Sequence, residues 1–154
     1  MPYRKTSSSK PKKGMKGKKN TTVKNRKPIN KKSHLVKVFL ELLNMVKLYH
    51  WKTRSFSIHK ATDELYERLN EHVDKFVEVL LGKDQSRIHM VEHRIDLLDV
   101  NKKSEFQERI FEYRKFLTEL DIFFDKGRDT DLLNIRDEIL ADINQFLYLM
   151  TFDK

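Results

Sequence analysis

Apolar residues recur every three or four positions over most of the chain beyond residue 33, which is the spacing of one buried face of an α-helix. The first run covers residues 35–49, with Ser33 as its expected N-cap, and ends near Arg54. After a break at residues 55–57, a second run continues to residue 80, and Gly82 is expected to end it. Two helices joined by so short a break predict an antiparallel hairpin.

Two further periodic runs follow a longer interval. Ser104 and Gln107 have the form of a capping box and open the third run, which Gly127 is expected to close. Asp129 or Thr130 is the expected cap of the fourth run, which continues almost to the end of the chain. These runs predict a second hairpin.

The connection between the hairpins, residues 83–103, has 21 residues and is much longer than the other two. Short, long and short connections predict an all-α, ferritin-like four-helix bundle with one long crossover. Part of this crossover is expected to be ordered and packed, because it contains Ile95, Leu97, Leu98 and Val100.

Residues 1–33 differ in composition from the rest of the chain. They hold 13 of the 32 Lys and Arg residues, no acidic residue and all three prolines, while the remaining residues carry 19 bases against 23 acids. Such a segment buries too little apolar surface to offset its chain entropy. The sequence therefore predicts a disordered Lys-rich tail at 1–33 and a single bundle domain at 34–154.

Composition also excludes several classes of protein. The chain has no cysteine, which rules out disulfide-linked partners, thiolate metal sites and cysteine nucleophiles. Charged residues interrupt every apolar stretch before it reaches 18 residues, so no membrane span is expected. No signal-like apolar segment follows the basic N-terminus, which predicts an intracellular protein that is not secreted.

Five residues around the first hairpin have the spacing of metal ligands. On one helix, His59 and Asp63 lie one turn apart, and so do Asp74 and Glu78, while His50 ends the preceding helix. The two pairs are separated by 11 residues, or roughly 16 Å of helix, so one ion cannot touch both. A shared site would need His50, His59 and Asp63 from one subunit and Asp74 and Glu78 from a two-fold mate.

Imidazole and carboxylate donors together suit iron, because nitrogen holds Fe(II) and anionic oxygen stabilises Fe(III); Mn or Zn could use the same donors. The Glu-x-x-His motif of sites built within one bundle is absent, which favours the intersubunit arrangement. Two alternatives remain: acids can recur at this spacing by chance in a charged helix, and the set can be a metal-free relic. His72 is expected to bond at a subunit contact, and His89 and His93 would form a second pair only if helical.

The segments Tyr49-His50-Trp51, 58–65 and 71–78 resemble the ferroxidase region of the Dps proteins, the DNA-protecting mini-ferritins of starved bacteria. On this resemblance, His50, His59, Asp63, Asp74 and Glu78 fall on the iron ligands and Trp51 on the tryptophan beside the site. Residues 125–152 are similar to the last helix of that family. The chain also looks like uncharacterised ferritin-like proteins of large DNA viruses.

The resemblance implies a ferroxidase: a dodecameric homo-oligomer that oxidises Fe(II) with peroxide or oxygen, retains the iron in a shell and protects or condenses DNA. It would then be associated with DNA in a nucleoid, a nucleus or a virion interior. The alternative is a non-enzymatic structural protein, of a virion or of packaged nucleic acid, that uses a ferritin-like bundle for assembly.

The tail has basic residues at high density without interleaved aromatic residues. Such a segment neutralises phosphates but reads no base edges, which predicts DNA binding that is independent of sequence and sensitive to salt. A nuclear-localisation signal, an acidic protein partner and anionic lipid are the alternatives. The residues expected to contact nucleic acid are Lys10, Lys12, Lys13, Lys16, Lys18, Lys19, Lys24, Arg26, Lys27, Lys31 and Lys32.

Overall fold

The computed structural model describes residues 31–152 of the chain. This part contains four α-helices, α1 (Lys31–Lys52), α2 (Phe56–Gly82), α3 (Lys103–Glu119) and α4 (Thr130–Leu149). A 3₁₀ turn (Leu120–Ile122) follows α3 directly, and the described residues include no strand. The all-α prediction is therefore confirmed.

Neighbouring helices in the bundle are antiparallel. Helix α2 packs against both α1 and α4, and α3 packs against α4. The rings of Tyr49 and Phe106 stack with centroids 4.0 Å apart and join α1 to α3. Because α2 and α3 then run in the same direction, the chain must cross the whole bundle between them. This confirms two hairpins joined by one long crossover, the connectivity of ferritin-like folds.

The core consists of the apolar faces that the periodicity predicts. Phe39, Phe76 and Phe106 are almost fully buried at its centre, and the Phe39 and Phe76 rings meet edge to face at 5.3 Å. Edge-to-face contacts between buried rings stabilise a core beyond the burial of their area. The hairpin α1–α2, on which the candidate ligands lie, is therefore anchored in the interior.

The crossover lies along α1 from its beginning to its end and contains no helix between residues 86 and 102. It is fastened by pairs spread over the length of α1 and ends in the buried Val100: Lys32–Asp84, Ser33–Val91, Lys37–Glu92, Glu41–Asp96 and Lys52–Asp99. The expectation of a packed crossover is confirmed for Leu98 and Val100, whereas Ile95 and Leu97 are exposed. Hydrogen bonds from Lys32 and then Ser86 lower the pKa of Asp84 to about 2.

Helix α1 begins before its predicted N-cap, Ser33. Lys31, Lys32 and Ser33 already lie in α1, and Ser33 is 1% exposed instead of capping the helix. Its hydroxyl accepts a hydrogen bond of 2.9 Å from the Val91 N–H, so the residue fastens the crossover. The predicted disorder of residues 1–30 lies outside the described residues.

Helix α2 ends at Gly82, as predicted, but the left-handed residue lies beyond it. Gly82 is the last residue of the helix, and the turn is made beyond it by Gln85, whose φ is 54°. The Ser86 N–H donates to Leu81 O at 3.1 Å, which closes a helix end that requires a left-handed residue. The position that requires this conformation is therefore Gln85.

The third helix differs at both ends. Lys102 is its N-cap, without a side-chain bond, so the capping box from Ser104 is wrong. The helix ends at Glu119, well before Gly127; a 3₁₀ turn follows, and the buried Arg136 side chain donates to the Leu117 carbonyl at 3.0 Å.

Asp129 does occupy the N-cap position of α4, as predicted. Its carboxylate does not bond to the first turn of that helix; it accepts the Asp125 N–H at 2.9 Å and closes the turn instead.

Candidate metal centre

The last turn of α1 and the first turns of α2 bring the two candidate histidines together. Helix α2 begins at Phe56, and the hydroxyl of its N-cap Ser55 accepts the Ile58 N–H at 3.3 Å. This cap fixes the tight connection after Lys52 and places residue 59 beside residue 50. The imidazole rings of His50 and His59 stack with centroids 3.9 Å apart and planes 23° apart.

Each histidine is held by the backbone of the other, an arrangement we call the histidine clasp (His50 and His59). His50 Nδ1 lies 2.9 Å from His59 O, and His59 Nδ1 lies 3.0 Å from His50 O. A carbonyl oxygen only accepts hydrogen bonds, so both Nδ1 atoms carry the proton. The lone pair of each neutral ring is then on Nε2, as in most histidines that ligate a metal.

Thr62 contacts the histidine clasp from inside the protein. Its side chain is fully buried, and its hydroxyl lies 3.2 Å from His50 Nδ1. The same hydroxyl donates within α2 to the carbonyls of Ile58, at 2.8 Å, and His59, at 3.0 Å. The His50 ring, with 6% of the residue exposed, therefore has little freedom to turn.

Asp63 lies beside His50 at this end of the hairpin. Its Oδ1 lies 3.6 Å from His50 Nε2, and its side chain is 42% exposed. An ion bonded to both atoms at about 2.1 Å can bridge such a gap. The donors that the sequence assigns to one subunit are thus adjacent, and their chemistry suits a divalent first-row metal ion.

Lys47 is a neighbour that the sequence reasoning missed. Its ammonium lies 3.8 Å from Asp63 Oδ1 and 4.5 Å from the centre of the Tyr66 ring. It also lies 5.9 Å from the ring of Trp51, which is 68% exposed. The ammonium therefore contributes positive charge at the carboxylate that a metal ion would use. Its position three residues before His50, one turn along α1, was the available signal.

Asp74 and Glu78 lie farther along α2 and are both exposed. At about 1.5 Å per residue, Asp74 is roughly 16 Å from Asp63, so the fold of one chain does not bring the two groups together. Asp74 borders a groove of about 220 Å³ between α1 and α2. The groove is otherwise lined by Val36, Phe39, Leu40, Leu43, Asn70, Val73 and Val77.

Within residues 31–152, no set of three or more His, Asp or Glu side chains converges closely enough to hold a metal ion by itself. The histidine clasp and Asp63 are therefore an incomplete set of donors in the single chain.

The other histidines have separate partners. His72 bonds within the chain, through Nδ1, to the buried Asp142 at 2.7 Å, and its Nε2 lies 3.7 Å from Glu138. This bond joins α2 to α4 within one chain, and the role expected of His72 at a subunit contact stays a prediction. His89 and His93 are exposed on the non-helical part of the crossover, so helical spacing does not pair them.

Most of the residues expected to bind nucleic acid, from Lys10 to Lys27, lie outside the described residues. Lys31 and Lys32 lie in α1. The Lys32 ammonium bonds to Asp84 and Ser86 and fastens the crossover. Lys31 Nζ lies 5.5 Å from the centre of the Phe123 ring.

Among the helices formed by residues 31–152, none combines the length and apolar character needed to cross a bilayer.

Comparison with known proteins gives one match. The model of a family of unknown function, DUF5856, matches residues 50–150, a segment that contains all five candidate ligands. No curated protein and no solved structure matches the chain.

Proposed function

Because the chain belongs to the DUF5856 family of unknown function, we propose its function from its own residues: it is an iron-oxidising mini-ferritin of the Dps type. Fe(II) is its substrate and binds between two copies of the chain. The observation that carries the proposal is the histidine clasp, which leaves the Nε2 atoms of His50 and His59 as metal-binding nitrogens, with that of His50 3.6 Å from Asp63.

In this proposal the missing donors are Asp74 and Glu78 of a second copy. The midpoint of α2 between His59 and Glu78 is also the midpoint between Asp63 and Asp74. A two-fold axis beside that midpoint therefore places each half of the ligand set next to the other half from the mate.

The groove between α1 and α2 supports the same two-fold contact. It is apolar, opens near the midpoint at Asn70 and Val73, and has Asp74 on its border. The exposed Leu40 contributes to its wall and would be buried by a mate lying across this face. Apolar surface of this kind drives association when it is removed from water.

The donors have distinct roles in the proposed reaction. The histidine nitrogens hold Fe(II), and the carboxylate oxygens stabilise Fe(III) as it forms. Two Fe(II) ions give one electron each to hydrogen peroxide, which takes up two protons and leaves as two water molecules. The histidine clasp fixes the ring orientation before iron arrives, so binding does not have to order these side chains.

The basic tail extends the proposal to DNA. Residues 1–33 carry 13 bases and no acid, which would hold an oligomer on DNA without reading its sequence. Gel-shift titration of the full-length chain and of residues 31–154, which keep all of α1, on unrelated duplexes tests this step. Binding should need the tail and should weaken steeply with salt; equal binding by both forms would remove the tail from the mechanism.

The central test measures Fe(II) binding without oxygen and then oxidation by added peroxide. The full-length protein should bind Fe(II) saturably and oxidise it, and His59→Ala should lose at least about 100-fold in affinity, beyond the 10–100-fold typical of outer-sphere groups. The matched control is His93→Ala, since His93 is exposed on the crossover. Absence of saturable binding by the unaltered protein, or equal oxidation by His59→Ala, would contradict the proposal.

A non-enzymatic assembly protein is the second candidate function. The observation that favours it is Lys47, whose ammonium lies 3.8 Å from Asp63 and supplies a positive charge without any metal ion. In that case the hairpin would be a metal-free relic of a ferritin-like site. Metal analysis of the purified protein separates the candidates, because a relic site retains no iron, manganese or zinc after dialysis.

A further inference from the structure

Charged side chains form a row along the contact between α2 and α4. Bases lie on α2 and acids on α4, in the order Arg68, His72 and Lys75 against Asp142 and Glu138. Arg68 lies 3.7 Å from Asp142, and Lys75 lies 3.5 Å from Glu138. His72 lies between the two acids, so both of its ring nitrogens face a carboxylate.

The first ring nitrogen of His72 is held by a buried group. Its Nδ1 lies 2.7 Å from Asp142 Oδ2, and the Asp142 side chain is 9% exposed. A carboxylate only accepts hydrogen bonds, so Nδ1 carries the proton. A carboxylate that holds one ring nitrogen in this way orients histidine ligands in many metal sites. The ring of His72 is therefore fixed by the opposite helix.

The second ring nitrogen points at Glu138. His72 Nε2 lies 3.7 Å from Glu138 Oε2. In a neutral ring Nε2 presents a lone pair, as the carboxylate oxygen does, so the two atoms repel each other unless a positive species lies between them. That species is a second ring proton or a metal ion.

The distance between these two atoms favours the metal ion. An N–H···O hydrogen bond has a donor–acceptor distance of about 2.7–3.2 Å, which is shorter than the observed gap. A zinc ion bonded to both atoms at about 2.1 Å separates them by about 3.4 Å at a tetrahedral angle, and by more at a wider angle. The gap of 3.7 Å is thus close to that of two ligands of one ion.

From this geometry we propose that His72 Nε2 and Glu138 bind a divalent first-row metal ion within a single chain. Water completes its coordination, since the row offers two protein ligands. A nitrogen donor beside an oxygen donor suits Zn(II), Fe(II) or Mn(II), whereas Mg(II) and Ca(II) take oxygen ligands. The ion joins α2 to α4 across the row.

This site is separate from the one that two copies are proposed to share. His72 and Asp74 are two residues apart, which is about 200° around a helix of about 3.6 residues per turn. Asp74 borders the groove between α1 and α2, whereas His72 faces α4. The new site therefore needs no second copy and does not rest on the proposed function.

The affinity of this site is limited by its neighbours. The ammonium of Lys75 pairs with Glu138 and competes with the ion. With two protein ligands and the rest water, the site holds its ion more weakly than five protein ligands would and loses it on dialysis. Metal that remains after dialysis therefore reports the shared site.

Zinc calorimetry on full-length His59→Ala tests the proposal, because that change disables the shared site. Adding Glu138→Gln should lower the remaining affinity at least tenfold. The matched control is Glu119→Gln: Glu119 is 53% exposed against 48% for Glu138, and it also pairs with a lysine, at 3.8 Å. This control should bind zinc like His59→Ala alone, and circular dichroism should show that each variant folds.

A change to Lys75 measures the competition. Lys75→Met should raise the affinity of this site by up to about fivefold, the effect of one partly exposed ion pair. In a chain that retains His59, the same change should leave the affinity of the shared site unaltered.

Anomalous diffraction from zinc-soaked crystals locates the ion, which should lie between His72 Nε2 and Glu138. Equal affinity in Glu138→Gln and Glu119→Gln would overturn the proposal. So would a ring of His72 without zinc, because a second proton would then lie between the carboxylates. Zinc seen in the crystal without binding in solution would overturn it too. None of these outcomes bears on the shared site, which His59→Ala has removed.

Discussion

The two halves of the candidate metal centre lie on the same hairpin, α1–α2, but their side chains are held very differently. His50 and His59 lie within one network in which ring nitrogens, carbonyls and the buried Thr62 fix one another, and Asp63 lies 3.6 Å from His50. Asp74 and Glu78, by contrast, are exposed.

This difference shows how one chain can supply half of the ligands of a shared site. Donors used by the chain's own fold are held in place before any ligand arrives, whereas donors meant for a mate must remain on the surface to reach it. A change in the prepared half (His50, His59 and Asp63) should alter the stability of the single chain. A change in the exposed half (Asp74 and Glu78) should alter only the assembled site.

The largest expected effect comes from the exposed half. Asp74→Ala should lower metal affinity by at least about 100-fold, or about 2.7 kcal/mol. The free energy of unfolding without metal should change by less than about 0.5 kcal/mol, as for other surface substitutions. Zinc titration calorimetry and urea unfolding measure the two quantities. Asp99→Ala, a change to an exposed aspartate of the crossover, is the control, and equal affinity in Asp74→Ala and the control would break the comparison.

A change in the prepared half should lower the stability of the protein even before metal is added. His50→Ala removes a buried ring together with its hydrogen bond to the His59 carbonyl, which should cost about 1–3 kcal/mol of unfolding free energy. Urea unfolding of the metal-free protein measures this, with His89→Ala on the crossover as the control. A loss below about 0.5 kcal/mol would mean that the histidine clasp does not hold the fold at this end.

A smaller effect is expected from Lys47. Its ammonium pairs with Asp63, and a partly exposed pair contributes up to about 1 kcal/mol. Lys47→Met should therefore raise metal affinity by up to about fivefold, because the metal ion no longer competes with the ammonium. Calorimetry checks this against Lys75→Met, whose ammonium lies 3.5 Å from Glu138 instead. A fall in affinity would show that Lys47 assists binding.

The smallest effect should come from the far end of α1. The pKa of Asp84, about 2, is lowered mainly by the hydrogen bond from Lys32. The pair therefore contributes above the usual aspartate pKa of about 3.9 and is lost as pH falls toward 2. In Lys32→Met, NMR titration should show the pKa of Asp84 returning toward its usual value.

In Lys37→Met, the pKa of Asp84 should stay low, because Lys37 pairs with Glu92 instead. Metal affinity should change less than twofold in Lys32→Met, because the histidine clasp is local. A larger change would show that the prepared half depends on how the crossover is fastened.

The same comparison shows which residue contacts could be predicted from the sequence and which could not. Helical spacing was enough to place His59 beside Asp63, and the short break before α2 was enough to bring His50 to the same end. Local geometry decides both relations. Spacing also indicated that Asp74 and Glu78 lie too far along the helix to join them.

Contacts between distant parts of the chain were not predictable in this way. The partner of His72 is Asp142, 70 residues later, and no local pattern links them. The path of the crossover likewise depends on scattered pairs such as Ser33 with Val91, which have no periodicity. The end of α3 also involves a distant contact without a local pattern, since Arg136 of the next helix donates to the Leu117 carbonyl there.

The most direct test of the shared site mixes two inactive variants. His59→Ala and Asp74→Ala should each abolish iron oxidation alone. Hetero-oligomers formed by refolding them together should regain activity, because an interface between one variant and the other keeps one of its two sites intact. With assembly verified by sedimentation, the account predicts recovery in the mixture. Mixed oligomers that remain inactive at every ratio would contradict a site built from two chains.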